Sequence, residues 1–448
     1  MRYLPLTDAD REEIKKAIGI KDTRDLFSCL PQKKCFPPLA DIPAALSENE
    51  LLQWFKKISA ANTYPGFLSF LGGGCYRHFI PEVVNYLSAK GEFVTPYTPY
   101  QPEVSQGNLQ AMFEYQTMMT MLTGMDVANA SLYDGGTAAA EGVLLGLRKS
   151  SRRKVLLAAS LHPEYAEIVR TYLQNIPCQL ETVDVDPTSG KVNQADLRKK
   201  LDDGTALLLF QSPNFFGVIE EADTLSRVLH EKGAISLQAV AEAMALAYLK
   251  PPGENGVDIV VGEAQSFGLP LNFGGPTLGF MAVKEPFLRQ MPGRIVGQTR
   301  DVDGKRGYVL TLSTREQHIK REKATSNICS NQAWCAIRAG MYLATMGKTG
   351  LEKIARLNHL NAVYFLKRLA GSRSKAKVRF SRDFYNELVL ELADESIIAF
   401  MARMERQHIL AGIQLGWFFP DMGNCLLINF TELHRLEDID RLVRALGE

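Results

Sequence analysis

The chain has 448 residues, and its 51 Lys and Arg against 50 Asp and Glu leave a formal charge of +1. That balance argues against a nucleic-acid binder, which carries a basic surplus. With 46% hydrophobic and 23% charged residues, the composition also argues against a disordered or membrane-surface protein, and the length suits roughly two to three domains.

The opening residues Met1-Arg-Tyr-Leu-Pro lack the apolar stretch of a secretory signal, so none is expected. No apolar run reaches the roughly 18 residues of a membrane span. Seven cysteines are scattered (Cys29, Cys35, Cys75, Cys178, Cys329, Cys335, Cys425) and none forms Cys-x-x-Cys. Reduced thiols in a cytoplasmic protein are expected. Cys29 and Cys35 are close enough to pair, although burial or plain exposure is the preferred reading.

Along the chain, residues 1–62 read as a helical extension. Asp8 can cap a helix through Ile20, and Pro31, Pro37, Pro38 and Pro43 then break the chain. Ser47 opens a second helix, with Glu50 completing a capping box. Residues 63–311 read as a large α/β domain. Apolar strands at Lys154–Ser160, Gln179–Val185, Thr205–Gln211, Ala234–Leu237, Val257–Val261 and Thr277–Lys284 are interleaved with helices at His162–Leu173, Gln194–Leu201 and Ala222–Lys232. Short apolar runs alternating with helices imply a largely parallel sheet covered on both faces. Residues 312–448 read as a smaller α/β domain. Its helices are Gln332–Met346 and Leu351–Leu369, divided at Gly350, with Ser396–Gln407 and Leu436–Leu446, and its strands are Phe384–Leu392 and Asn424–Phe430.

Nucleotide-binding glycine loops are absent, and the seven histidines show no His-Glu-x-x-His spacing. No metal site is therefore expected. The basic run His318–Lys323 reads as a solvated helix face, with docking of an acidic partner as the competing reading.

Five segments rich in Gly, Pro, Tyr and amides stand out. Phe70–Pro81 holds three successive glycines followed by Arg77 and His78, which are suited to a carboxylate or phosphate; a tight turn competes. Thr95–Gly107 holds three prolines in seven residues. It is a stiff extended piece presenting Tyr97 and Tyr100, suited to a binding wall or subunit interface, or else a packed loop. Ser131–Glu141 leads glycines into an Ala-rich helix, whose free amides would attract an anion. Asp134 already supplies a negative charge there, so a self-satisfied cap competes with a phosphate cradle. Phe210–Gly217 and Val257–Pro276 follow buried strands, where open α/β sheets place ligands.

Together these segments resemble the glycine cleavage system P-protein family, glycine dehydrogenase (decarboxylating), and within it the alpha subunit (subunit 1) of the two-subunit form. The likeness spans nearly the whole chain. It is carried by Thr95–Gly107, Pro213–Gly217, Gly262–Gly275 and Thr314–Asn327. The resemblance implies the aspartate-aminotransferase-like fold of pyridoxal-phosphate enzymes (fold type I), which accords with a large, mostly parallel domain plus a smaller C-terminal one.

Pyridoxal phosphate needs a Schiff-base lysine and an acidic partner for its ring nitrogen. The family's catalytic half carries the lysine in a His-Lys-Thr-Phe context, and the matching piece here is Ala264-Gln-Ser-Phe267. Gln265 thus stands at the Schiff-base position, and Gln238, after the strand Ala234–Leu237, at the acidic one. Neither amide can do the required chemistry, and Lys250 and Lys284 read as solvated strand-edge or loop residues. The resemblance therefore implies a chain without its own cofactor or catalytic residues, inactive alone, in a heteromeric enzyme.

Tyr97, Thr98 and Tyr100, and less strongly Arg77 and His78, are expected to complete the site of a partner, the catalytic beta subunit carrying pyridoxal phosphate. The assembled enzyme would decarboxylate glycine and pass the aminomethyl group to the lipoyl H-protein. A stand-alone pyridoxal-phosphate lyase or transaminase and a non-catalytic structural homologue are the alternatives.

Overall fold

The computed structural model describes residues 6–30, 42–328, 331–380, 382–393 and 396–447. Pro31, Cys35, Pro37 and Pro38 lie outside the described residues. The chain divides into two compact units, Met1–Pro65 and Gly66–Glu448.

The first unit holds helices α1 (Asp8–Ile18) and α2 (Glu48–Ala61). None of its described residues is buried. Local signals define both helices. Ser47 caps α2, and Glu50 returns the bond in a capping box. In α1 the cap is Thr7, one residue before the expected Asp8, because Thr7 and Asp10 form the reciprocal pair. The helix stops at Ile18, where Gly19 takes a left-handed conformation at φ 78°.

The second unit is built on a seven-stranded sheet. Its strands, in spatial order, are β2 (Val127–Ala128), β8 (Gly279–Val283), β7 (Ile259–Glu263), β6 (Ile235–Val240), β5 (Thr205–Gln211), β3 (Lys154–Ala158) and β4 (Gln179–Val183). From β7 to β4 neighbours run parallel; β8 is antiparallel to β7, and β2 to β8. All seven residues of β5 are buried, as a strand covered on both faces requires. Alternate side chains go to opposite cores. Leu208, Phe210, Val240 and Val260 pack on one face with α4 (Gln106–Thr123) and α8 (Ala222–Glu231). Leu207, Leu209, Ala239 and Val261 pack on the other with α5 (Gly135–Lys149) and α6 (Pro163–Leu173). Strand β2 lies between α4 and α5 in chain order, and α5 starts beside the carboxyl end of β7, where the Gly135 amide meets Glu263. Two further short helices are α3 (Glu82–Ser88) and α7 (Gln194–Lys200).

After the β9–β10 hairpin (Ile295–Arg300, Arg306–Thr311) comes α9 (Ala333–Ala370). The interruption expected at Gly350 falls at Gly347 instead, the residue that leaves helical geometry at φ 58°. A four-stranded antiparallel sheet follows, ordered β11 (Lys377–Val378), β12 (Glu387–Glu391), β15 (Cys425–Asn429), β14 (Ile413–Gln414). It packs through Leu388, Leu426 and Ile428 on Phe365 of α9, Phe400 of α10 (Ile397–Arg406) and Leu442 of α11 (Leu436–Gly447). Strand β1 (Leu68–Ser69) runs parallel to β13 (Ile409–Leu410) beside it.

Candidate functional site

The parallel strands point their carboxyl ends at one edge of the sheet, where open α/β folds place ligands. The glycine-rich segment 72–78 crosses that edge. Gly73 and Gly74 donate their amides to Glu387 Oε1, at 2.5 and 3.4 Å. Gly74 has φ 82°, and a Cβ there would lie 2.6 Å from the Cβ of Ala241, just beyond β6. Only glycine permits that approach. Next, Cys75 Sγ lies 3.7 Å from Gln265 Oε1, and Tyr76 meets Asn386. Burial pushes Glu387 up to about 8.

His78 is buried between two carboxylates. Its Nδ1 lies 2.9 Å from Glu432 Oε2 and its Nε2 3.2 Å from Glu242 Oε2. Burial alone would lower its pKa, but Glu242 and Glu432 outweigh burial and raise it to about 10. Burial likewise opposes ionisation of Glu432, and the imidazolium holds that acid below its ordinary range. The anions His78 reaches are therefore the chain's own. Arg77, beside it, is exposed.

The end of the strand that carries Gln238 requires a correction. The sequence reading ends the strand at Leu237, whereas β6 continues to Val240 because Ala239 and Val240 pair with Val261 and Gly262. Gln238 thus lies inside the sheet. Its Nε2 donates to the carbonyl of Ser212 at 3.2 Å, and its Oε1 has no partner. The acidic residue beyond the strand is Glu242, which caps the turn at Met244 (2.7 Å) and faces His78.

Past β7, the loop Ala264-Gln-Ser-Phe contains no amine. Gln265 is buried and donates to the carbonyl of Leu269. Glu263, the last residue of β7, gathers three backbone amides. Oε1 accepts from Gln265 (3.0 Å) and Leu278 (2.7 Å), and Oε2 accepts from Gly135 (3.1 Å). Burial is the main cause that pushes this carboxyl up to about 7. At the same helix end Asp134 accepts from the Thr137 amide at 2.7 Å, and Thr137 Oγ1 accepts from the Asp134 amide. The first turn of α5 is thus served by two carboxylates.

Pyridoxal phosphate does not fit these residues. Its phosphate would meet Asp134 and Glu263, both anionic when ionised, and its aldehyde would meet an amide. Lys284 donates to the Gly124 carbonyl at 3.1 Å, and Lys250 is exposed.

The extended segment after Thr95 sits elsewhere. Tyr97 is 85% exposed, on a cleft of about 340 Å³ that Phe93, Met112, Trp334 and Ile337 also line. Thr98 is half-buried, with an unpartnered Oγ1. The Tyr100 hydroxyl accepts from Arg294 at 3.0 Å, and its ring meets His318 edge-on at 5.5 Å. Arg294, itself buried, also bonds Asn331 at 3.1 Å. The structure brings Tyr97 and Tyr100 to the surface, and buries His78 in an internal ion cluster. Sequence reasoning missed Glu242, Glu263, Glu387, Glu432 and Arg294. The one available signal was an acidic residue closing an apolar strand, at Glu263.

No helix among the described residues is long and apolar enough to cross a membrane. A family model described as glycine cleavage system P-protein matches residues 1–446. A relative from Geobacillus thermodenitrificans (strain NG80-2), named probable glycine dehydrogenase (decarboxylating) subunit 1, is 44% identical over 453 residues, covering 100% of this chain and 99% of its own. A crystal structure of glycine decarboxylase (P-protein) of the glycine cleavage system, in inhibitor-bound form, matches with a TM-score of 0.91 and 39% identity over 100% of this chain and 99% of that one. A sphingosine-1-phosphate lyase from Burkholderia pseudomallei K96243 shares the fold, with a TM-score of 0.65 at 16% identity over 93% of this chain and 94% of that one.

Proposed function

The chain belongs to the glycine cleavage system P-protein family, and on that premise we propose that it is the subunit without a Schiff-base lysine in a two-chain glycine dehydrogenase (decarboxylating). The fold is that of type I pyridoxal-phosphate enzymes. Its relative's designation as subunit 1 supports a second chain as partner. In this reading the partner carries pyridoxal phosphate, which acts as an electron sink when bound. The assembled enzyme decarboxylates glycine and passes the aminomethyl group to the lipoyl H-protein, in the cytoplasm.

The observation that carries the reading is the end of β7. Gln265 replaces an amine with a buried amide, and Glu263 takes the amide of Gly135 that an anionic ligand would need. Glu242 qualifies the sequence argument, because an acid does stand past β6. That acid faces His78. What this chain contributes to catalysis is then surface and position. Tyr97, Thr98 and Tyr100 line the edge of a wall for the partner's site, with Tyr100 oriented by Arg294. Arg77 remains a weaker anion contact, and His78 serves it only by fixing the segment.

The reading is tested by glycine–bicarbonate carboxyl exchange. The isolated chain is expected to be inactive and the reconstituted pair active. Exchange by the isolated chain would overturn the proposal.

A further inference from the structure

Resting on that reading, we propose that Asp134 and Glu263 form a built-in anion. They stand in for the cofactor phosphate at the start of α5, so that this chain folds without a ligand there. An α-helix start leaves amides unsatisfied and favours negative charge. Here the Thr137 amide goes to Asp134 and the Gly135 amide to Glu263. Glu263 reaches the helix from another element, the end of β7, and its other oxygen ties in Gln265 and the start of β8 through Leu278. One carboxyl group therefore joins three segments that a phosphate would otherwise have to hold together.

The space is filled as well as the charge. A Cβ at Gly135 would lie 2.0 Å from Tyr165 Oη, and one at Gly136 would lie 2.5 Å from Ile168 Cδ1. Two side chains of α6 thus pack onto the glycine pair. Backbone at Asp134 is equally close to β8, since a Cβ at Gly279 would lie 2.4 Å from the Asp134 carbonyl oxygen. The amides of Gly135 and Thr137 are already taken by carboxylates, and side chains fill the space beside Gly135 and Gly136.

The test uses inorganic phosphate against the assembled two-chain enzyme, with chloride at equal ionic strength as reference and with thermal melting and phosphorus NMR as readouts. In the wild type, phosphate should neither bind at this chain nor raise its melting. Glu263→Ala should melt lower and then gain phosphate binding. At a concentration about tenfold above Kd, binding shifts the folding equilibrium roughly tenfold. Glu263→Gln keeps the volume but turns an NH2 group toward either the Gly135 amide or the Gln265 and Leu278 amides, so it should melt lower than wild type and still stay indifferent to phosphate. It serves if the alanine variant fails to fold. Phosphate uptake by wild-type α5, a folded alanine variant indifferent to phosphate, or a glutamine variant rescued by phosphate would each overturn the inference. None of these touches the subunit assignment, which falls instead if a lysine of this chain is found bonded to pyridoxal phosphate.

Discussion

Glu263 Oε2 accepts the backbone amide of Gly135 at 3.1 Å, joining the end of a central strand to the start of the helix that faces it. The contact exists because Gly135 has no side chain to obstruct it: Tyr165 Oη and the Glu263 Cβ occupy the space around its Cα. Gly135→Ala should therefore destabilise by about 1–3 kcal/mol through overpacking. Tyr165→Phe in the same chain removes the nearest atom and should recover part of the loss, read by urea unfolding. Equal stability of Gly135→Ala and wild type would count against this packing.

Replacing His78 tests the ion cluster. With the imidazolium gone, Glu242 and Glu432 are left buried without their common cation. Breaking a buried pair by removing one partner costs about 3–5 kcal/mol, so His78→Gln should show a loss of that order. The sign with pH follows from the raised pKa. The stabilisation is complete below the ordinary imidazole value of 6.5 and disappears as pH rises through about 10. A variant within about 0.5 kcal/mol of wild type, the range of ordinary surface changes, would refute the cluster's role.

Glu387 makes a separate pH prediction. Burial raises it from 4.5 to about 8, so between those values the folded chain holds a proton that the unfolded chain has lost. Stability must then fall as pH rises across that window. Glu220 and Glu263, each raised to about 7 by burial, push in the same direction. Glu387→Gln keeps an oxygen for the Gly73 and Gly74 amides and cannot ionise. Its melting temperature should decline less steeply than that of wild type over this range. Parallel slopes for the two proteins would contradict the assignment.

Tyr100→Phe removes the hydroxyl that accepts from Arg294. A hydrogen bond to a charged group contributes about 1.5–3 kcal/mol net, enough to loosen the segment that Tyr97 and Thr98 share. Turnover of the assembled enzyme should fall severalfold while gel filtration still shows the complex. Unchanged turnover would remove this segment from the partner's site.

Much of the fold was legible because its signals are local. Thr205–Gln211 reads as a buried strand from seven consecutive residues and is one. Ser47 and Glu50 announce the start of α2 and form its capping box. Misreadings arose where two residues compete for one role. Thr7 displaces Asp8 as cap because Asp10 answers it. Gly347 breaks α9 while Gly350 is absorbed into it. The absence of a lysine after β7 was visible in Gln265, since a missing functional group leaves its mark in composition. The replacement for the cofactor was not visible. A glutamate is written the same whether it is solvated or gathers three amides, and only the fold brings Gly135, Gln265 and Leu278 to Glu263. For the same reason Glu242 went unnoticed beyond Gln238, because the strand's length depends on pairing with β7.

The most direct test of the central claim is borohydride reduction of the assembled two-chain enzyme, followed by peptide mapping of both chains. The account predicts a pyridoxyl-lysine in the partner and none in this chain, the peptide spanning Glu263–Leu269 included. A reduced pyridoxyl group on any lysine of this chain would contradict it.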